Sequence, residues 1–118
     1  MEVSFILSSD ELYTLILLSG EMTEAGQQFC DKTLHDAQAN DLSGLIEKNL
    51  AKKVEDELEL EPVLRMISSA ISQADNTELN NGVWSIRSPW VDLRCEKYQF
   101  NENHWKITPV NTGTAYLK

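Results

Sequence analysis

Apolar positions along the chain change their period once, near Asp75. Before it they recur at helical spacing, and after it they alternate as in strands. Val3 to Leu7 is a short β-prone run, followed by Ser8-Ser9-Asp10-Glu11. Ser8 with Glu11 three residues on predicts a capping box, each side chain satisfying an orphan amide. The helix that follows carries Leu12, Tyr13, Leu15, Ile16, Leu17 and Leu18, apolar nearly all round, a pattern that belongs inside a core. Ser19-Gly20 stops it, because Gly takes the left-handed conformation cheaply. Thr23 caps a second helix running to about Ala39, with Phe29, Cys30, Leu34 and Ala37 inward, and Asn40-Asp41 breaks it.

A third helix places Leu42, Leu45 and Ile46 on one stripe and ends at Asn49. Lys52 to Leu60 reads as extended. Pro62 opens a fourth helix, where its missing N–H costs nothing, and Val63, Met66, Ile67, Ala70, Ile71 and Ala74 form its stripe. Asn81-Gly82 is a strong hairpin dipeptide. Val83–Arg87, Trp90–Phe100 and His104–Pro109 read as strands, joined in the last case by Asn101-Glu102-Asn103. Ser88-Pro89 marks an edge, a bulge or a bend, since Pro cannot donate to a ladder. The expected architecture is α+β: a winged-helix-like helical half, then an antiparallel β-meander. One domain spans 1–118, with 1–75 mainly helical, 76–110 in strands and 111–118 a loose tail.

With 118 residues, 42% hydrophobic and 25% charged, the composition is that of a globular protein rather than a fibrous or disordered chain. Its formal charge of −9 is unevenly spread: sixteen acids and five bases lie up to Glu78, three acids and five bases beyond. The helical part would therefore repel a phosphate backbone, whose binding requires Lys and Arg. Helices two and three with the extended stretch look like a winged helix-turn-helix, yet the reading helix offers Asp41, Ser43, Glu47 and Lys48, and the wing carries Glu55, Asp56, Glu57, Glu59 and Glu61. Such a shape suits packing or protein contact, and no nucleic-acid partner is expected.

No catalytic pattern is visible. His35 and His104 stand apart from any nucleophile, and G-x-S-x-G, a phosphate-binding Gly loop and H-E-x-x-H are missing. The chain reads as no enzyme, with no cofactor. The Glu55-Asp56-Glu57 run lacks the Gly of a calcium loop and reads as a solvated loop, not a metal site. Cys30 and Cys95, 65 positions apart, read as buried reduced thiols. The N-terminus lacks a basic region and Leu12–Leu18 is too short to span a membrane, so a cytoplasmic, membrane-free protein is expected.

Trp84, Trp90, Tyr98, Phe100 and Trp105 crowd into the least acidic part of the chain. Some of these must line a sheet core. Tyr98 and Phe100 share parity with Asp92, Arg94 and Glu96, so they fall opposite Val91 and Leu93 and call for cover. Aromatic residues anchor interfaces well. Trp84, Trp90, Tyr98, Phe100, Trp105 and Ile107 are the candidate protein-interface residues. The His104–Pro109 strand ends the pattern with only Lys106 as a guard, so an uncovered edge and a two-fold homodimer through the sheet are expected.

In order, Leu12–Leu18 with Gly20, Leu45-Ile46-Glu47-Lys48-Asn49-Leu50, Leu58–Leu60, Val63–Ile71 and Val91-Asp92-Leu93-Arg94 resemble the amino-terminal half of the ESX (type VII) secretion-associated chaperone family, EspG-like. The resemblance covers about residues 3–100 and is a pattern of hydrophobic positions. Members of that family typically have Gly where Asn49 stands, and continue into a second α/β half about a quasi-two-fold axis. The resemblance implies a non-enzymatic secretion accessory or chaperone that binds a protein partner, with two copies able to reproduce the two-fold arrangement. A winged-helix regulator and a stand-alone interaction or immunity-type module are the alternatives. A neighbouring secretion ATPase gene would favour the first.

Overall fold

In the computed structural model, which describes residues 4–39, 43–100 and 103–110, β1 (Phe5–Ser8) runs directly into α1 (Ser9–Leu18). The capping box forms: the Glu11 amide donates to Ser8 Oγ at 3.1 Å and the Ser8 amide to Glu11 Oε1 at 2.9 Å. Ser19 caps the far end and Gly20 follows at φ 106. Thr23 caps α2 (Glu24–Thr33). This helix ends six residues before Ala39, because Leu34 turns inward as its C-cap and is buried. The short α3 (Ser43–Glu47) follows, then a hairpin of β2 (Ala51–Val54) and β3 (Glu57–Leu60), then α4 (Pro62–Ser72). The strands β4 (Asn76–Asn80), β5 (Val83–Arg87), β6 (Asp92–Lys97) and β7 (His104–Val110) complete the chain. Leu42, Asn40-Asp41, Asn101-Glu102 and the tail 111–118 lie outside the described residues.

The fold is mixed α+β, with a five-stranded antiparallel sheet ordered β1-β7-β6-β5-β4 and four helices. The meander therefore holds from β4 to β7, but β7 is not an edge. The first strand returns to cover it, Phe5 opposite Ile107 and Leu7 opposite Trp105. The expected bare edge at His104–Pro109 is corrected accordingly, and the edges are β1 and β4. Short-range periodicity could not foresee a pairing of residues about a hundred positions apart.

Period-2 alternation gives the sheet one apolar face. Phe5 opposes Ile107, Ile107 opposes Cys95, and Cys95 opposes Trp84, a buried row across four strands. Helices α1, α2 and α4 pack against this face and one another, and Phe29 meets Trp84 edge-to-face at 5.3 Å. Each large apolar side chain enclosed there contributes roughly 1.5–3 kcal/mol. On the other face opposite charges stand across the strands, Glu96 against Lys106 and Asp92 against Arg87, an arrangement that is stable in water.

Two helices depart from the expected stripes. In α1, Leu12, Leu15 and Ile16 are buried, while Leu17 and Leu18 are exposed. In α4 the expected stripe is buried at Ile67, Ala70, Ile71 and Ala74, Leu64 and Ser68 join it, and Val63 faces out. Both buried faces have i, i+3, i+4 spacing.

The Ser9 amide donates to Asn103 O at 2.7 Å, which sets the ladder's phase. In an antiparallel pair only alternate residues exchange bonds. Phe5 and Leu7 therefore bond β7, while Ile6 and Ser8 turn their backbone groups toward the open edge. There Glu11 accepts the Ser8 N–H, and Lys48 Nζ donates to Ile6 O at 3.4 Å and to Glu11 Oε1 at 3.1 Å.

Candidate protein-contact surface around Trp90

The structure separates the six candidate residues. Trp84, Trp105 and Ile107 belong to the chain's own core, at 6%, 4% and 0% exposure. Trp105 also donates its indole N–H to Ser9 Oγ at 3.0 Å and lies beneath Lys97 Nζ. Trp90 and Phe100 are exposed and Tyr98 is half-buried. Tyr98 and Phe100 stack edge-to-face at 5.4 Å just beyond β6. Trp90 precedes that strand, so six residues of β6 (~20 Å) hold it apart from Phe100. The aromatic cluster of the sequence is thus two surface patches and a core.

Trp90 has the more built surroundings. The Ser88 hydroxyl accepts the amides of Trp90 (3.3 Å) and Val91 (3.1 Å) and donates to Val91 O (2.7 Å). Pro89 sits within this turn, which accounts for the bend at Ser88-Pro89, and buried Val91 anchors it. The indole stands beside α4, over a groove of about 340 Å³ lined by Pro62, Arg65, Met66 and Ser69. These four are at i, i+3, i+4 and i+7, one face of the helix. The helix is phased by its start: the Glu61 carboxylate accepts the Leu64 amide at 2.9 Å, Pro62 occupies the first turn, and the Glu61 amide donates to Leu50 O at 2.8 Å. Leu64 turns inward and Pro62 outward, while half-buried Met66 packs against the core and borders the groove. Of the expected inner stripe, Met66 does pack against the core and Val63 is exposed; Leu64, three residues before Ile67, is the signal for the inner face that the expected stripe omits.

A second groove of about 460 Å³ shares Pro62 and runs along the β2–β3 hairpin between Leu50 and Glu59. The hairpin is acidic. From Ala51 to Glu61 five carboxylates face two lysines, of which Lys52 pairs with Glu59 at 3.6 Å. Its turn places Glu55 at φ 59, extending the acids into solvent.

His35 meets only the exposed Asp36, at 3.2 Å, beside a polar pocket of about 390 Å³ that Asp10, Lys97 and Trp105 also line. Cys30 and Cys95 are unpaired and buried. Burial, with Asp31 adding, pushes the Cys30 thiol up to about 11, and burial with Glu96 pushes Cys95 up as well. Neither serves as a thiolate near neutrality. Among the described residues no group of three or more His, Cys, Asp or Glu could hold a metal ion, and no helix is long and apolar enough to cross a membrane.

Compared with known proteins, the chain matches no protein-family model, no curated protein and no solved structure.

Proposed function

We propose that this chain is a non-enzymatic, cytoplasmic accessory or chaperone-like protein of a type VII (ESX-like) secretion system, binding a protein partner on the face around Trp90. The observation that carries the binding reading is Trp90 itself, 43% exposed on a turn fastened by Ser88 and beside the groove that Pro62 and Met66 line with Arg65 and Ser69. A large aromatic held out on a fixed backbone is the kind of side chain that anchors interfaces. The secretion context rests on the pattern of hydrophobic positions that resembles the EspG-like family. The winged-helix-like reading belongs here as a shape for protein contact: α3 and the β2–β3 hairpin follow one another as reading helix and wing would, but the hairpin's acids oppose nucleic acid.

Self-association through the sheet belongs to the same reading, and β4 is its available edge, since Glu11 and Lys48 occupy outward backbone groups of β1. Co-expression with each protein encoded beside its gene tests the proposal. A complex that elutes together and is lost with Trp90→Glu supports it. Absence of a complex with every such neighbour refutes the secretion role.

A further inference from the structure

Pro62, Met66 and Trp90 give the groove beside α4 its apolar part, with Arg65 and Ser69 as its polar members, and the neighbouring hairpin is acidic. Along α4 the groove runs from Pro62 to Ser69, ~10 Å at 1.5 Å per residue, room for about two turns of a second helix. Ser88 fixes the backbone beneath Trp90, so little freedom is lost when the ring is covered. Toward the hairpin, Glu59 and Glu61 line the adjoining groove, and Glu55, Asp56 and Glu57 continue the negative field beyond them. An α-helix has spent its backbone donors and acceptors internally, so α4 offers side chains and no ladder to an extended strand.

We infer that this groove takes an amphipathic helix of a partner protein, its apolar stripe against Pro62, Met66 and Trp90 and its Lys or Arg residues against the hairpin. This is helix-in-groove recognition with electrostatic selection of the partner. The inference rests on the protein-binding reading above and adds the partner's shape and charge.

Two synthetic amphipathic helices of roughly 18 residues, five turns, serve as probes on the full chain. They share a leucine stripe and carry either lysines or glutamates on the polar face. Trp84 and Trp105 are buried, so the emission difference between wild type and Trp90→Phe isolates Trp90. The lysine peptide is expected to shift Trp90 emission to the blue, to bind more weakly as salt rises, and to lose about tenfold or more in affinity with Trp90→Ala. The glutamate peptide is expected to bind at least about tenfold more weakly, and Glu57→Gln with Glu59→Gln to narrow that gap. Equal binding of both peptides, abolished by Trp90→Ala, overturns the charge assignment and leaves the groove as a binding face. A Trp90 signal that neither peptide moves overturns both.

Discussion

Glu11 and Lys48, 37 residues apart, join over the open edge of β1 at 3.1 Å. Glu11 closes the capping box of α1, yet its carboxylate also holds Lys48, whose ammonium reaches the Ile6 carbonyl. Gly44 makes room, because any Cβ there would run into that carboxylate. Exposed edges invite pairing with other chains, and here one ion pair occupies a donor and an acceptor of β1. Lys48→Ala leaves Glu11, 7% exposed, without its cation. We expect a loss of about 1–2 kcal/mol, less than for a fully buried pair because Lys48 is 41% exposed. A double-mutant cycle with Glu11→Gln measures the coupling, and strictly additive effects would show that the pair contributes nothing.

Replacing a helical Gly by Ala normally stabilises by about 0.5–1 kcal/mol. At Gly26 the sign should invert. A Cβ there would lie 2.6 Å from Ile71 O and 2.8 Å from Ser72 O, backbone atoms that the Thr23 latch holds in place: its hydroxyl donates to Ala74 O at 2.6 Å and its amide to Ser72 O at 2.9 Å. Gly26→Ala is expected to cost about 1–3 kcal/mol, read as a lower urea midpoint. An unchanged or raised midpoint would mean that α2 and α4 do not approach this closely.

Two of the three candidate tryptophans, Trp90 and Trp105, should part company. Trp90→Glu leaves its charge at the surface and should keep the circular dichroism spectrum, costing no more than about 1–2 kcal/mol because the ring is 43% exposed. Trp105→Glu buries a charge among Leu7, Ser9 and Lys97 and should cost more than about 4 kcal/mol, unfolding the chain. A folded Trp105→Glu protein would contradict the pairing of β1 with β7.

That contrast shows what the sequence could disclose. Caps and turns were legible because they are local: Ser8 with Glu11, Thr23, Pro62 and Asn81-Gly82 each act through groups a few bonds away. In the meander β5, β6 and β7 were legible through alternation, and β4 only through the hairpin dipeptide Asn81-Gly82 that follows it. The place of β1 was not, since β-pairing carries no periodic trace in the partner strand. Of the contact surface, Trp90 was legible as an aromatic near a Pro. Pro62 was legible only as a helix start and Met66 only as part of the inner stripe, because a half-buried residue at the border of that stripe packs on the core and lines the groove at once.

Both thiols should resist labelling in the folded chain at pH 8 and count as two once it unfolds. Cys30 is raised from 9.0 to about 11, so the unfolded chain releases this proton first as pH rises. Between those values the native state binds more protons, and stability therefore falls with increasing pH; Cys95 acts in the same direction. The decline in urea midpoint between pH 8 and 10 should be shallower in Cys30→Ala. Equal slopes would mean that the Cys30 thiol is not shielded by burial.

Self-association through the sheet is expected at β4, contrary to the β7 edge that the sequence suggested. Asn80 and Val83 flank the two-residue turn Asn81-Gly82, whose φ values of 53 and 80 mark a type I′ hairpin. In such a hairpin the flanking residues form a bonded pair, so Asn80 and Glu78 bond β5 while Thr77 and Leu79 turn their backbone groups outward. Leu79 is 54% exposed, and no lysine stands on β4 to guard the edge. Glu78 argues against a seam centred on itself, where two copies would meet like charges; centring on Leu79 pairs leucine with leucine and Glu78 with Asn80. Light scattering on a sizing column checks this: Leu79→Lys should return a sheet-mediated dimer to the 13.4 kDa monomer, whereas Trp90→Glu should leave its mass alone. A dimer that survives Leu79→Lys would place the contact away from this edge.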